Sequence, residues 1–392
     1  MTKFSKNHLQ KHLAAFLLLL VPCAIYLFVY LLPLGSIMSL SVDNSEMSNR
    51  FTHFNAYVGS VDQNEKAAAL IQDIGAMSVR EQGEMARMLN QEISGFRSLF
   101  LNTAKNVERI EKNYTALTAF DKRWAEDKYW DVLESNTSPY TMRHLAKAIG
   151  VSYDVSGHLT VKPGEDIYLR IMLRTLMISL QVTILTLLIG YPLAYVVANG
   201  SARLGSFVMM VVLLSFWTSI LVRTVAWVIL LQTSGLINNL FISLGFIAEP
   251  IQLIFNRFGA IVAMTHVLLP FAIIPMINVM RTIPPAQKDA SRSLGAGVAE
   301  TFIRVYFPQS LRGVTLGGGT VFILALGFYV TPALTGGPND QMLSFYIAEF
   351  IKKHLNWGMA AALSMLLLFS VILLLSIYAA LRYAMTRKRS TL

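Results

Sequence analysis

Acidic side chains are absent from every long apolar run of this 392-residue chain, and only 14% of its residues are charged against 54% that are hydrophobic. Soluble proteins carry about 25% charged residues, so the deficit excludes a water-soluble domain of this full length and marks an integral membrane protein. Embedded carboxylates commonly hold the coupling ion of secondary transporters, and their absence weighs against that class. Cysteine occurs once, at Cys23 in the first apolar run, which excludes a disulfide framework. Leu20-Val21-Pro22 is a poor lipidation context, leaving Cys23 to be read as a small packed apolar residue. No Gly-x-x-x-x-Gly-Lys-Ser/Thr loop is present, and Gly317-Gly318-Gly319 opens an apolar run rather than following a strand. The chain therefore shows no phosphate-cradling loop of its own. Seven scattered His residues with no His-Glu-x-x-His or paired-Cys motif leave no ligand set for a metal, and no catalytic motif is visible.

What is present is six apolar runs of spanning length, each needing about 20 residues as a helix. They lie near Leu13 to Leu40, Ile171 to Ala198, Phe207 to Leu231, Gly259 to Met280, Val314 to Leu334 and Gly358 to Leu381. Basic residues orient them. Lys3, Lys6, Lys11, Arg203, Arg281, Lys288, Arg292, Arg304, Arg312, Arg382, Arg387, Lys388 and Arg389 fall on one side, which places both termini in the cytoplasm. The opposite flanks carry Arg170, Arg174, Arg257, Lys352 and Lys353. The formal charge of +10 is thus a topology signal spread over loop ends, not a nucleic-acid footprint. The first run is too long for a secretory h-region and has no convincing cleavage site, so it reads as an uncleaved anchor. The expected organisation is a cytoplasmic tail at 1–12, a first span at 13–40, an extracytoplasmic insertion at 41–168, a five-helix core at 169–382 with a cytoplasmic loop at 281–312, and a tail at 383–392.

Most of the 23 acidic residues lie between Asp43 and Asp166, inside the insertion. Leu89, Ile93, Phe96, Phe100, Val107, Ile110, Tyr114 and Leu117 recur largely at three- and four-residue steps, which predicts an amphipathic helix with one buried stripe. Glu65 to Met77 is expected to pair with it as a hairpin. Trp124, Tyr129, Trp130, Leu133, Tyr140, Leu145 and Ile149 follow close together, with turn signals at Gly150, Gly157 and Pro163-Gly164. This appendage either contacts an extracytoplasmic partner or caps and stabilises the membrane part.

Between the fourth and fifth runs lies a charged, helix-forming segment running from Asp289 to Pro308. Small residues at Ala290, Gly295 and Ala296 permit close backbone approach, and Pro308 marks the return to the membrane. A chain without a nucleotide site needs such a rigid projection to receive force from a soluble ATPase. The plainer alternative is an amphipathic helix on the bilayer, with Lys288, Arg292 and Arg304 following the inside-positive bias.

The spacing Asp289-Ala290-Ser291, three residues to Gly295, then nine to Val305 with Phe307 and Pro308, resembles the docking loop of ATP-binding-cassette (ABC) importer permeases. Here Asp289 and Ser291 replace the usual Glu and second Ala. Phe216 to Trp227, Gly235 to Asn238, Leu269-Pro270-Phe271 with Pro275-Met276, and Leu326 to Pro332 with Gly336-Gly337 are similar to the first permease subunit of spermidine/putrescine-type importers. The resemblance covers roughly Ile171 to Arg382. It implies an all-α, six-span type I (MetI-like) importer permease fold with a helical extracytoplasmic insertion, in a bacterial inner membrane. It also implies a second permease subunit, two ATPase subunits that use ATP and Mg, and an extracytoplasmic solute-binding protein, with a polyamine-like or other small nitrogenous solute. The coupling residues it implies are Asp289, Ala290, Ser291, Gly295, Ala296, Val305 and Pro308, on a helix near Asp289 to Val298. An ion-coupled secondary transporter and a membrane-anchored receptor or assembly protein remain the alternatives.

Path candidates come from physical chemistry. Arg223 is a cation in an apolar run and needs an anion, a carbonyl or a partner's carboxylate, serving either solute or structure. Trp217, Trp227, Phe328 and Tyr329 offer aromatic faces to a cationic amine, worth about 0.5–2 kcal/mol each, or else pack helices. His266 is either a hydrogen-bonded interior residue or part of the path.

Overall fold

The computed structural model describes residues 18–153, 159–161, 164 and 166–390. The N-terminal tail with Lys3, Lys6 and Lys11, the start of the first span at Leu13, Gly157, Pro163 and the last two residues of the C-terminal tail lie outside them. Among the described residues, six helical stretches are long and apolar enough to cross a membrane: Leu18–Ser39, Ile167–Asn199, Ile220–Ser243, Arg257–Met280, Val298–Gly327 and Trp357–Ala380. A shorter apolar helix, Ala202–Trp217, precedes the third.

That shorter helix corrects the expected third span. Phe207 to Leu231 is not one helix, because Thr218 and Ser219 both adopt extended backbone between Ala202–Trp217 and Ile220–Leu231. Hydroxyl side chains compete for backbone groups here: Thr218 Oγ1 donates to the Ser215 carbonyl at 2.8 Å. The fifth span is also displaced. It ends at Gly327, followed by Phe328 and Tyr329 and then a short helix, Val330–Thr335.

The chain divides into two compact units, one of Met1–Asp166 with Phe350–Leu366, the other of Ile167–Glu349 with Leu367–Leu392. In the second, Ile167–Asn199, Arg257–Met280 and Phe307–Gly327 pack against one another. Their shared core includes Ile178, Val182, Met264, Leu268, Ala272, Ile273, Met276, Val321 and Ala325. Thr175 and Thr183 each donate to the carbonyl four residues earlier at 2.8 and 2.7 Å, whereas the buried Ser179 and Thr186 hydroxyls have no partner among the described residues.

In the first unit the polar insertion is built from helices that include Gln63–Ala76, Val79–Glu92, Phe96–Lys105, Tyr114–Phe120 and Asp127–Ser135. Ser78 and Glu81 close a reciprocal cap on Val79–Glu92. The expected continuous helix from Leu89 to Leu117 is broken, first at Gly95, whose φ of +92° no helix accommodates, and again across Asn106 to Asn113. Its stripe is nonetheless interior: Leu89, Phe96, Phe100, Ile110 and Leu117 are buried with Trp124, Tyr129, Trp130 and Leu133, while Tyr140 and Ile149 are exposed. Trp124 Nε1 donates to Thr103 Oγ1 at 3.0 Å, and Trp130 Nε1 to the Trp124 carbonyl at 2.8 Å, so both indole donors are satisfied. Buried Asp73 accepts from the His53 and Phe54 amides and lies 2.6 Å from His53 Nδ1. Cys23 is exposed rather than packed, because no residue in the most apolar stretch of Leu18–Ser39 is buried within the chain.

Candidate functional site

The charged segment folds as a helix, Pro285–Ser293, begun by a proline at a position whose missing N–H costs nothing. It ends earlier than Asp289 to Val298 implies. Gly295 takes φ +91°, its N–H reaches the Arg292 carbonyl at 2.9 Å, and the Ala296 N–H reaches the Ser291 carbonyl at 3.2 Å. This paired closure with a left-handed residue just past the end is a Schellman motif, so Gly295 terminates the helix instead of crowding its interior. Nothing lies within 4 Å of where a Cβ at Gly295 would stand. The Ser-Leu-Gly string at 293–295 held that stop signal.

Two residues three apart fasten one face of this helix. Lys288 Nζ donates to Asn199 Oδ1 at 2.9 Å and stands 5.3 Å from the Tyr306 ring centre, and Ser291 Oγ lies 3.1 Å from Thr301 Oγ1. Asn199 in turn donates to Tyr306 Oη at 2.5 Å, which links the end of Ile167–Asn199 to the same ring. Asp289 and Ala290 remain exposed, and beyond them Leu294 is 89% and Val298 71% exposed. An apolar knob thus projects from a fastened base.

From Val298 the chain is helical without interruption to Gly327, with a π turn over Phe302–Tyr306. Val305 is half-buried in that turn and Pro308 follows it, so Pro308 sits inside a continuing helix. The Gln309 side-chain amide takes the Val305 carbonyl at 2.8 Å.

A second constellation joins Ile220–Leu231 to Arg257–Met280. Arg223 is 8% exposed, its Nη1 donates to the Val267 carbonyl at 3.3 Å, and its Nε is buried without a partner. Among the described residues no carboxylate lies within ion-pair distance of it. His266 Nε2 is 3.3 Å from Ser215 Oγ, and its ring meets Trp227 edge-on with centres 5.7 Å apart. His266 Nδ1 and Thr265 Oγ1 are also buried without partners. Beside them Thr224 and Thr331 hydroxyls are 3.0 Å apart. Orphaned polar atoms of this kind, beside a buried cation, are expensive unless a further group meets them.

Arg223, Trp227 and His266 are therefore brought together. Trp217 is not: it is 81% exposed and lines a separate groove of about 400 Å³ with Arg281 and Met210, beyond the Thr218-Ser219 break. Phe328 and Tyr329 are half-buried at the break after Gly327, where the Phe328 carbonyl accepts from Ser344 Oγ at 2.6 Å. Sequence reasoning missed Ser215 and Thr265, isolated hydroxyls in apolar runs that carry no local signal.

The family described as "Binding-protein-dependent transport system inner membrane component" matches residues 168–388. The spermidine/putrescine transport system permease protein PotB of Salmonella typhimurium (strain SL1344) is 28% identical over 214 residues, 55% of this chain and 75% of that protein. The molybdenum transport system permease protein ModB of Mycobacterium bovis is 26% identical over 224 residues, 57% of this chain and 82% of that protein. A solved bacterial alginate ABC transporter, in complex with an alginate pentasaccharide-bound periplasmic protein, is 18% identical with a TM-score of 0.41 and covers 53% of this chain and 75% of its own.

Proposed function

The chain belongs to the family of inner-membrane components of binding-protein-dependent transport systems, and on that premise we propose that Pro285–Ser293 with its Leu294–Val298 knob docks into a partner ATPase. As a permease the chain is the non-catalytic part of an ABC importer. The observation that carries the reading is an exposed apolar tip on a base fastened through Lys288 and Ser291. Displacement of the tip then moves Asn199, Tyr306 and the helices that carry them as one body. The fold is of the type I kind, with residues 281–312 and both termini cytoplasmic and 41–168 outside. A second permease completes the pathway, a solute-binding protein delivers solute, ATP-driven closure of two ATPase subunits opens the cavity outward, and hydrolysis resets it.

In this reading Arg223, Trp227 and His266 face the pathway, with Trp217, Phe328 and Tyr329 at its edges. The solute is polyamine-like or another small nitrogenous compound, a reading supported by the permeases of that kind among the relatives. Arg223 supplies no anion for a polycation, so the carboxylates for such a solute come from the second permease.

The docking is tested by placing a cysteine at Leu294 in a Cys23→Ser background and cross-linking in native membranes. Cross-links to an ATPase subunit are expected; a cysteine at Val61 in the insertion that cross-links to it instead overturns the docking and the topology together. Gly295→Ala, which forces a left-handed backbone costing about 1–2 kcal/mol, is expected to leave the protein inserted and to lower uptake per ATP hydrolysed. Undiminished coupling in that variant counts against the motif's role.

A further inference from the structure

The first unit encloses a cavity of about 390 Å³ whose walls come from the end of the first span, the insertion and the start of the last span. Four of its charged groups are accounted for within the chain, and two are not. Asp43 accepts from the Ser45 amide at 2.9 Å, and hydrogen bonding to the Ser45 hydroxyl, with that amide bond second, holds its carboxyl below the usual carboxylate range. Glu92 and Arg143 face each other at 3.8 Å. Burial pushes the His144 imidazole below its ordinary value, so it brings no charge to the walls at neutral pH.

Glu46 and Arg87 remain. Both line the cavity, neither makes a hydrogen bond or ion pair with any described residue, and they do not pair with each other. Arg87 Nε is moreover buried without a partner. Opposite charges on one wall set ordinarily collapse into an ion pair; held apart, they form a receptor for a molecule with both signs. Trp357 and Met47 add apolar surface to the lining, and the volume suits a ligand of amino-acid size.

We propose that this cavity binds a small zwitterion, its anionic end at Arg87 and its ammonium end at Glu46. Two sources share that chemistry. Leu40, next to the end of the first span at Ser39, and Trp357, the first residue of the last, put the cavity where spans meet the membrane surface, the level of a phosphatidylethanolamine headgroup. A free amino-acid-like solute is the other source. The site is separate from the Arg223 constellation and does not depend on the docking reading.

The test uses the full chain with its companion subunits in nanodiscs of phosphatidylglycerol alone, titrated by calorimetry with glycerophosphoethanolamine and with γ-aminobutyrate. At least one zwitterion is expected to bind, at least tenfold tighter than ethanolamine or glycerol phosphate, each of which carries one charge type. Arg87→Gln and Glu46→Gln are each expected to weaken it at least tenfold; Glu46 is exposed, so its variant decides the matter if Arg87→Gln fails to fold. Loss of the glycerophosphoethanolamine signal in discs containing phosphatidylethanolamine identifies the lipid source, and γ-aminobutyrate binding in both disc types identifies a free solute. No binding of either zwitterion, or binding unchanged in Glu46→Gln, overturns the proposal.

Discussion

The insertion and the membrane unit are both helical, yet their closest packing is made by different side chains. In the insertion the largest fully buried groups are aromatic: Trp124, Phe51, Phe54, Phe96 and Phe100, with ring centres of Phe96 and Trp124 5.9 Å apart. In the membrane unit the tight contacts are made by small residues. A Cβ at Gly317 would stand 2.6 Å from the Ala272 carbonyl oxygen, and one at Gly313 would stand 3.0 Å from Met276 Cα. Water rewards removal of large apolar surfaces, so the insertion buries rings. Lipid is as apolar as the protein and gives no such reward, so these helices gain by close approach.

The sharpest way to break that comparison is Trp124→Ala. It removes the ring and the indole donor to Thr103, whose hydroxyl keeps its bond to the Leu99 carbonyl, with an expected loss of about 3–5 kcal/mol, read as unfolding of the insertion in limited proteolysis while the membrane unit stays protected. A cost smaller than that of any membrane-core change would sink the contrast. Next is Gly317→Val, where overpacking costs about 1–3 kcal/mol. Its expected signature is a lower thermal midpoint in detergent with unchanged protease resistance of the insertion. Adding bulk and removing it should thus be felt in opposite units.

The smallest effect is pH-dependent and confined to the first unit. His144 has its pKa depressed by burial, so the unfolded chain binds the proton more readily. Stability is full above the ordinary imidazole value of about 6.5 and falls as pH drops through it. Between pH 7.5 and 5.5 the insertion should become more protease-sensitive, and His144→Gln should flatten that dependence. An unchanged slope in the variant would assign the effect to another group.

These contrasts explain what was legible in the sequence. The second, fourth and sixth span positions were readable because those runs are long and uniformly apolar, while the third and fifth were displaced, and the buried stripe from Leu89 to Leu117 was readable because burial follows period even where the helix does not. Continuity was not: Gly95 and the Thr218-Ser219 pair break helices by backbone preference inside patterns that hydropathy reads as unbroken. In the charged segment after Arg281 the spacing placed Gly295 inside the helix, where the left-handed stop puts it outside. The Arg223 cluster was half visible. Its cation stood out, but Ser215 and His266 are 51 residues apart and meet only through helix packing.

The π turn at Phe302–Tyr306 sets a rotational phase between the two ends of the helix that contains it. Its ring of hydrogen bonds closes over one residue more than an α turn, so side chains on the Val298 side are turned about 100° from where an unbroken α-helix would carry them. Deleting one residue there would restore the regular period and keep both Gly317 against Ala272 and Thr301 against Ser291, whereas an α turn formed with every residue kept would swing Thr301 away from Ser291. Angle, as much as length, joins the knob to the span.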